Sequence, residues 1–246
     1  MIYFASDFHL GAPNYTSSRD REEKICRWLD SIKNKATELF LLGDVFDFWF
    51  EYKTVVPKGY VRFLGKLAEL RDKGVDIHIC VGNHDLWLAE YLTEEIGVRV
   101  FREPETIERQ GVVFHVHHGD GLGPGDRGYK RLKKVFTNSF AQFIFSKLHP
   151  NFGIGLANKA SRKSRIHQPE KEKKYQGDDK EYLTIYSEEQ LKQNPKINYF
   201  IFGHRHLPLD ITLSNKKSHY INLGEWFSGS RYVSFDGEQV LICNFD

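Results

Sequence analysis

Short apolar runs alternate with amphipathic segments along the first third of the chain. The runs at 1–6, 38–43 and 75–81 are short and mainly apolar, which predicts buried strands. Between them, the segments 20–35 and 58–73 carry apolar residues three and four positions apart, which predicts helices with one apolar face. Because strands and helices alternate, this part of the chain is typical of an α/β protein.

The rest of the chain continues this pattern and then becomes rich in strands. We predict helices at 86–96, 129–148, 154–165 and 181–193, and strands near 98–102, 105–109, 111–117, 197–202, 207–213, 218–223, 230–235 and 238–245. The pair Ser187 and Gln190 has capping-box spacing, so the last helix is expected to restart at Ser187. The predicted fold is an α/β sandwich of two mixed β-sheets flanked by helices. A chain of 246 residues can bury one large core, so we expect a single domain spanning 1–246.

Clusters of polar residues follow five of the predicted strands. They are Asp7-Phe8-His9, Gly43-Asp44-Val45-Phe46-Asp47, Gly82-Asn83-His84-Asp85, His117-His118-Gly119-Asp120 and Gly203-His204-Arg205-His206. Open α/β sheets bind their ligands at the carboxyl ends of their strands. Asp7 and His9 are two positions apart, so an extended backbone points both side chains to the same side. The five clusters together predict one shared metal site.

The chemistry of these side chains favours two metal ions. The candidate ligands are Asp7, His9, Asp44, Asn83, His118, His204 and His206. Imidazole and oxygen ligands without thiolate suit Mn²⁺, which we favour, and also Fe or Zn. Seven ligands are too many for one ion but suit two divalent ions if Asp44, central in the set, bridges them. Two ions about 3.5–4 Å apart suit an in-line displacement at phosphorus.

A catalytic pair is predicted beside the ligands. His84 follows Asn83 and can face a leaving oxygen as a proton donor or a positive charge. Asp47 can orient the His84 ring through its other nitrogen. The surrounding run Phe46-Asp47-Phe48-Trp49-Phe50 is unusually aromatic, and its rings serve either loop packing or substrate contact.

The stretch 122–175 differs in character from the rest of the chain. It contains 13 Lys and Arg residues against 3 Asp and Glu residues. Its first half carries an apolar stripe at helical spacing, formed by Leu132, Val135, Phe136, Phe140, Phe143, Ile144 and Leu148. The polar residues 168–180 predict a loop after the second helix. A basic helix with an apolar face is typical of a membrane surface or an anionic ligand, so we predict a helical lid insertion at about 123–180.

The order of the motifs resembles that of the calcineurin-like metallophosphoesterase superfamily. The motifs are Asp-x-His, Gly-Asp-x-x-Asp, Gly-Asn-His-Asp, His-Gly-Asp and Gly-His-x-His, and they span nearly the whole chain. The resemblance implies a metallophosphoesterase sandwich and a binuclear hydrolase of phosphate esters or anhydrides. Such a hydrolase would use the seven ligands above, with His84 and Asp47 as catalytic residues.

The chain is also similar to the bacterial UDP-2,3-diacylglucosamine diphosphatase family of the lipid A pathway, which releases UMP and diacylglucosamine 1-phosphate. The shared features are Asp44-Val45-Phe46-Asp47-Phe48-Trp49, the run 118–122 continuing into Asp126 and Tyr129, the basic insertion, and Gly224-Glu225-Trp226. One position departs from the pattern, because many members carry Arg where this chain has His84.

This similarity implies a lipid-nucleotide substrate, and the insertion suits one. A diphosphate needs positive donors, and acyl chains need an apolar wall. The expected substrate-binding residues are Asp126, Tyr129, Arg162, Lys163, Ser164, Arg165, Phe140 and Phe143. We also expect contact with the inner-leaflet membrane surface, because the apolar stripe is of little use to a soluble nucleotide.

The cysteine pattern and the lengths of the apolar runs constrain the cellular location of the protein, and they leave alternative functions open. The three cysteines lack zinc-type spacing and cannot all pair, which suits a reducing compartment. No run approaches the ~18 apolar residues of a spanning helix, and residues 1–6 are typical of a strand rather than a signal sequence. We therefore expect a cytoplasmic protein associated peripherally with the inner membrane. The alternatives are a hydrolase of soluble phosphodiesters, nucleotides or phosphomonoesters, whose insertion is a plain lid or a dimer surface, and a scaffold without activity, which the complete ligand set disfavours. A nucleic-acid partner is not expected at this length, and the oligomeric state is not predicted.

Overall fold

The computed structural model describes residues 1–12, 17–124, 127–166, 174–175 and 177–246, with only the backbone of Arg127 and of residues 162–166. The strands are β1 (Ile2–Ala5), β2 (Glu38–Leu42), β3 (Asp76–Cys80), β4 (Arg99–Phe101), β5 (Glu105–Arg109), β6 (Val112–Val116), β7 (Tyr199–Phe202), β8 (Pro208–Thr212), β9 (His219–Leu223), β10 (Arg231–Phe235) and β11 (Val240–Asn244). The helices are α1 (Ser18–Ile32), α2 (Val61–Asp72), α3 (Tyr91–Ile96), α4 (Arg127–Phe136), α5 (Ser139–Ser146), α6 (Pro150–Ile166) and α7 (Tyr182–Gln193).

The described strands form two mixed sheets, which confirms the predicted fold class. One sheet has the order β11-β10-β1-β2-β3-β4, and the other has the order β5-β6-β7-β9-β8. In the first sheet β1, β2, β3 and β4 are parallel neighbours, and in the second β6, β7 and β9 are parallel. Parallel neighbours end at the same edge, so each sheet presents several strand ends side by side.

Apolar side chains join the two sheets face to face. The Phe4 ring of β1 stacks on Phe40 of β2 at 5.1 Å between centroids, and it lies 5.3 Å from Phe114 of β6 in the opposite sheet. On its outer face the first sheet packs against α1 and α2 through buried residues such as Trp28 and Leu67. This buried sandwich holds the strand ends of both sheets in a fixed relation.

Two of the predicted helices were wrong in extent. The helix expected at 129–148 is two helices, α4 and α5, because the Asn138 side chain accepts hydrogen bonds from the amides of Phe140 and Ala141 and starts a new helix there. The helix expected at 86–96 is only α3, and the Glu51 carboxylate accepts from the amides of Glu90 and Tyr91 just before it.

The predicted restart at Ser187 was also wrong. Ser187 is buried inside α7, and its hydroxyl donates to the Leu183 carbonyl one turn earlier. A serine within a helix can form this bond to its own helix, so its spacing to a glutamine is not enough to mark a helix start.

Candidate metal centre

The loops after β1, β2, β3, β6 and β7 carry the five polar clusters, and main-chain hydrogen bonds tie these loops together. The His9 amide donates to the Asp44 carbonyl at 2.8 Å, which joins the first two loops. The Gly203 amide donates to the His118 carbonyl at 2.9 Å, which joins the loops of the second sheet. The His204 amide also donates to the Asp7 carboxylate at 3.1 Å, so the polar residues of the two sheets meet at one place.

The ligand-bearing loops have an unusual backbone. Five of the seven predicted ligands have a positive φ: Asp7, His9, Asp44, His204 and His206, at 56°, 44°, 51°, 68° and 53°. Residues other than glycine rarely adopt a positive φ, because it costs on the order of 1–3 kcal/mol per residue. Residues with this conformation cluster at functional sites. The tied loops impose this conformation and turn the side chains towards one another.

Two glycines allow the loops to approach closely. A Cβ on Gly43, whose φ is +84°, would lie 2.5 Å from the ring of His118. A Cβ on Gly82 would overlap the Oδ1 atom of Asp44 and lie 2.4 Å from its backbone nitrogen. Both positions therefore need glycine for the ligands to pack as they do.

A first group of ligands consists of Asp7, His9, Asp44 and His206, whose ligand atoms all lie within 4.8 Å of one another. The Nε2 atom of His206 is 3.1 Å from Asp7 Oδ1 and 3.1 Å from His9 Nε2. The Nε2 atom of His9 is 3.5 Å from Asp44 Oδ2. Nitrogen and oxygen donors that converge in this way fit a divalent cation.

A second group forms around His118. Its Nε2 atom is 3.4 Å from Asp44 Oδ2 and 3.2 Å from Asn83 Oδ1, while its Nδ1 atom bonds to the Leu42 carbonyl at 2.8 Å. That bond assigns the proton to Nδ1 and leaves Nε2 as the metal-binding atom. The His204 ring completes the group at 5.1 Å between its centroid and that of His118. One Asp44 oxygen thus lies within 3.5 Å of both His9 and His118, between the two groups.

The electrostatics of the site also favour cations. Burial lowers the pKa of His118, but the charge of Asp44 outweighs burial and raises this pKa to about 10. Burial likewise lowers the pKa of His9, but the nearby carboxylates of Asp47 and Asp7 outweigh burial and raise this pKa to about 9. The pKa of Asp44 is lowered, because the charges of His118 and His84 overcome the opposing effect of its burial. The negative potential that favours these protons also favours metal ions, so the residues fit a dimetal site.

The predicted catalytic pair is in contact. The Nδ1 atom of His84 lies 3.5 Å from Asp47 Oδ1 and 3.2 Å from the Asp47 carbonyl oxygen. The same Oδ1 atom is 3.5 Å from His9 Nδ1, a contact that the sequence analysis did not foresee. Asp47 therefore lies beside a predicted ligand as well as beside His84.

Sequence reasoning also missed Arg21 of α1. This side chain is 2% exposed, and it donates to the carbonyls of Phe8, His9 and Ala12 at 2.8, 2.6 and 2.8 Å. Its guanidinium lies 4.6 Å from the centre of the Phe227 ring, which stacks on His9. Arg21 thus holds the loop that carries Asp7 and His9. The sequence does indicate that Arg21 is buried, because it lies one turn before Ile25 on the apolar face of α1.

The predicted substrate-binding residues fall into three groups. The Tyr129 hydroxyl donates to buried Asp120 at 2.5 Å, and Lys133 pairs with the same carboxylate at 2.7 Å, so α4 is attached next to His118. Phe140 and Phe143 are 69% and 57% exposed. Outside the described residues lie Asp126 and the side chains of Arg162, Lys163, Ser164 and Arg165, whose backbone is in α6.

The aromatic run after Asp44 packs against protein. Phe46 and Trp49 are fully buried, and the Phe50 ring lies 4.7 Å from Phe145 of α5. The Trp87 ring lies 4.6 Å from the same Phe145. Of the two roles left open for these rings, the contacts support loop packing. Phe46 packs against Tyr60 outside the insertion, whereas Phe50 packs against the insertion.

Comparison with known proteins identifies the class. Residues 1–208 match the family model described as calcineurin-like phosphoesterase. The chain belongs to this family and, with its candidate dimetal site, is a metal-dependent hydrolase.

Curated relatives within this family share one name. A protein from Porphyromonas gingivalis named UDP-2,3-diacylglucosamine hydrolase is 38% identical over 253 residues, covering 98% of this chain and 96% of the relative. One of the same name from Aeromonas salmonicida is 28% identical, covering 97% of this chain and 91% of the relative. A solved phosphoesterase from E. coli, Yfce, has a TM-score of 0.44 at 14% identity, covering 100% of this chain and 99% of that one. In the part of the chain that the structure describes, no helix has the length and apolar character needed to cross a membrane.

Proposed function

We propose that this protein hydrolyses the diphosphate bond of a UDP-diacylglucosamine, giving UMP and diacylglucosamine 1-phosphate. The observation that carries this proposal is an exposed apolar face next to the dimetal site. On α4, α5 and α6 this face comprises Leu132, Val135, Phe136, Phe140, Phe143, Ile144, Phe152 and Leu156, each at least 38% exposed. A soluble nucleotide has no use for such a surface, whereas two acyl chains do. The name shared by the curated relatives supports the same substrate.

Two divalent ions would be held by the two groups of ligands. Asp7, His9, Asp44 and His206 would hold one ion, and Asp44, Asn83, His118 and His204 would hold the other, with Asp44 as the bridge. Mn²⁺ is our first choice of metal, and Fe and Zn suit the same donors. When bound, such a pair supplies Lewis acidity towards phosphoryl oxygens and lowers the pKa of water.

The catalytic pair would act on the leaving phosphate. His84 faces Asp47 with its Nδ1 atom, so we assign proton donation, or a positive charge, to Nε2. Asp47 would keep the ring in this orientation. His84 occupies the position at which many members of the diphosphatase family carry Arg, and either side chain presents positive charge to a leaving phosphate.

The insertion at about 123–180 would bind the rest of the substrate as a lid within one domain of residues 1–246. We assign the diphosphate to Arg162, Lys163, Ser164 and Arg165, with Asp126 and Tyr129 at the sugar-nucleotide end of the site. Phe140 and Phe143 would contact the acyl chains. The same basic, apolar surface would place the protein on the inner leaflet of the inner membrane, from the cytoplasmic side.

Incubation with the diacylated UDP-sugar and Mn²⁺ tests the proposal, with UMP release as the measurement. The unmodified protein should release UMP, and Asp44→Ala, which removes the bridging carboxylate, should not. UDP-N-acetylglucosamine, which lacks the long acyl chains, should be a poor substrate. A preparation that cleaves bis(p-nitrophenyl) phosphate but releases no UMP from the lipid nucleotide would refute the proposal and support a hydrolase of soluble esters.

A further inference from the structure

Helix α6 of the insertion reaches the catalytic pair through Ser161. The Oγ atom of Ser161 lies 3.0 Å from His84 Nδ1 and 3.2 Å from Asp47 Oδ2. Ser161 is 77 positions from His84 and 114 positions from Asp47, so only tertiary packing brings the three together. No motif in the surrounding sequence marks this serine as functional.

The chemistry of the three groups sets the direction of these hydrogen bonds. An ionised carboxylate can only accept, so the Ser161 hydroxyl donates to Asp47. Its remaining lone pairs then accept from Nδ1–H of His84. The Asp47 carbonyl oxygen, 3.2 Å from the same Nδ1 atom, is also an acceptor and requires the same proton. Ser161 and Asp47 together therefore place the proton on Nδ1 and restrict rotation of the ring.

The rest of the insertion is seated on the same two loops. The Trp87 indole, three residues after His84, donates to the Phe136 carbonyl at 2.6 Å. Gly153 of α6 packs so closely that an added Cβ would lie 2.6 Å from the Tyr52 hydroxyl and 3.1 Å from the Phe145 ring. The aromatic residues that follow Asp47 and His84 in sequence thus hold the helix that returns Ser161 to these two side chains.

We propose that Ser161 is a positioning residue, which orients His84 for catalysis only while α6 is seated on the two catalytic loops. The proposal rests on the proposed catalytic role of His84. It makes turnover depend on the position of the insertion, because an unseated α6 would remove one of the groups that hold the ring.

A double-mutant cycle tests this coupling on bis(p-nitrophenyl) phosphate, so the outcome is independent of the lipid substrate. Ser161→Ala should lower kcat about tenfold with little change in KM, the size expected for one hydrogen bond to an ionised partner. Ser161→Thr, which keeps the hydroxyl, should recover most of this loss. In a His84→Ala background, Ser161→Ala should cause no further loss, since the group it positions is gone.

The matched control is Ser146→Ala, because the Ser146 hydroxyl on α5 donates to the Phe143 carbonyl of its own helix. This variant should keep the kcat of the unmodified protein. In zinc-loaded protein with ¹⁵N-labelled histidine, Ser161→Ala should also shift the His84 ring signals, whereas Ser146→Ala should not. Metal content should be unchanged in both.

Two results would overturn the proposal. An equal loss of kcat from Ser161→Ala with and without His84 would show that the serine acts elsewhere, and an unchanged kcat would show that it positions nothing. Neither result bears on UMP release from the lipid nucleotide. Conversely, failure to cleave the lipid nucleotide would leave the Ser161 cycle intact.

Discussion

Replacing two phenylalanines of the exposed apolar face separates a lipid substrate from a soluble one. Phe140 and Phe143 are 69% and 57% exposed, so with roughly 200 Å² per phenylalanine about 250 Å² of their surface is open to a ligand. An acyl chain that covers half of this area gains about 3 kcal/mol at about 25 cal/mol per Å². Phe140→Ser with Phe143→Ser should therefore lower kcat/KM for the diacylated UDP-sugar on the order of 100-fold.

The assay compares this variant on two substrates. Cleavage of bis(p-nitrophenyl) phosphate should change little, because this small ester reaches only the metal site. Val61→Ser with Leu241→Ser is the matched control, since both side chains are exposed, at 77% and 46%, and lie outside the insertion. Metal content and melting temperature establish that each variant is folded.

The results on the two substrates show whether Phe140 and Phe143 bind acyl chains. Equal losses on both would mean that the two rings support the fold of the insertion rather than bind acyl chains. Full activity on the lipid nucleotide would remove Phe140 and Phe143 from the proposed substrate site.

Three further substitutions test the centre itself. Asp44→Ala should abolish turnover and reduce bound metal, and two ions per chain by elemental analysis would contradict its bridging role. His84→Ala should keep both metals and lose most of its turnover, with a residual rate left to measure, since we place it outside the ligand set; a parallel fall in metal content would instead make it a ligand. Gly82→Ala should reduce metal content and activity because its Cβ would overlap Asp44, whereas Gly65→Ala, with nothing within 4 Å, should not. Normal metal binding by Gly82→Ala would show that the loop relaxes without cost.

Much of the fold and the ligand set could be predicted because the signals are local. Each parallel strand is a short apolar run, and each ligand cluster follows such a run directly, as Asp44 follows β2 and His118 follows β6. Parallel strands place their carboxyl ends at a common edge, so alternation of strands and helices predicts that the clusters of one sheet lie near one another. The errors fell where a single side chain set a helix end, as Asn138 does between α4 and α5.

Contacts between distant segments could not be predicted in this way. The position of Arg21 on the apolar face of α1 indicates burial, but it does not show that the side chain donates to three carbonyls of the first ligand loop. Asp47 was expected to orient His84 alone, and the structure also places it beside His9. These pairings depend on how loops and helices pack, which periodicity does not encode.

The sequence by itself determined which atoms are available for metal binding and at which strand ends they lie, because strand formation and the turns after it are local properties. Only the tertiary structure decided that one Asp44 oxygen lies between two histidine groups and that α6 returns Ser161 to His84. The physical reason is distance along the chain. Groups 77 or 114 positions apart meet only when packed side chains hold their segments together, as the aromatic residues after Asp47 and His84 hold the insertion.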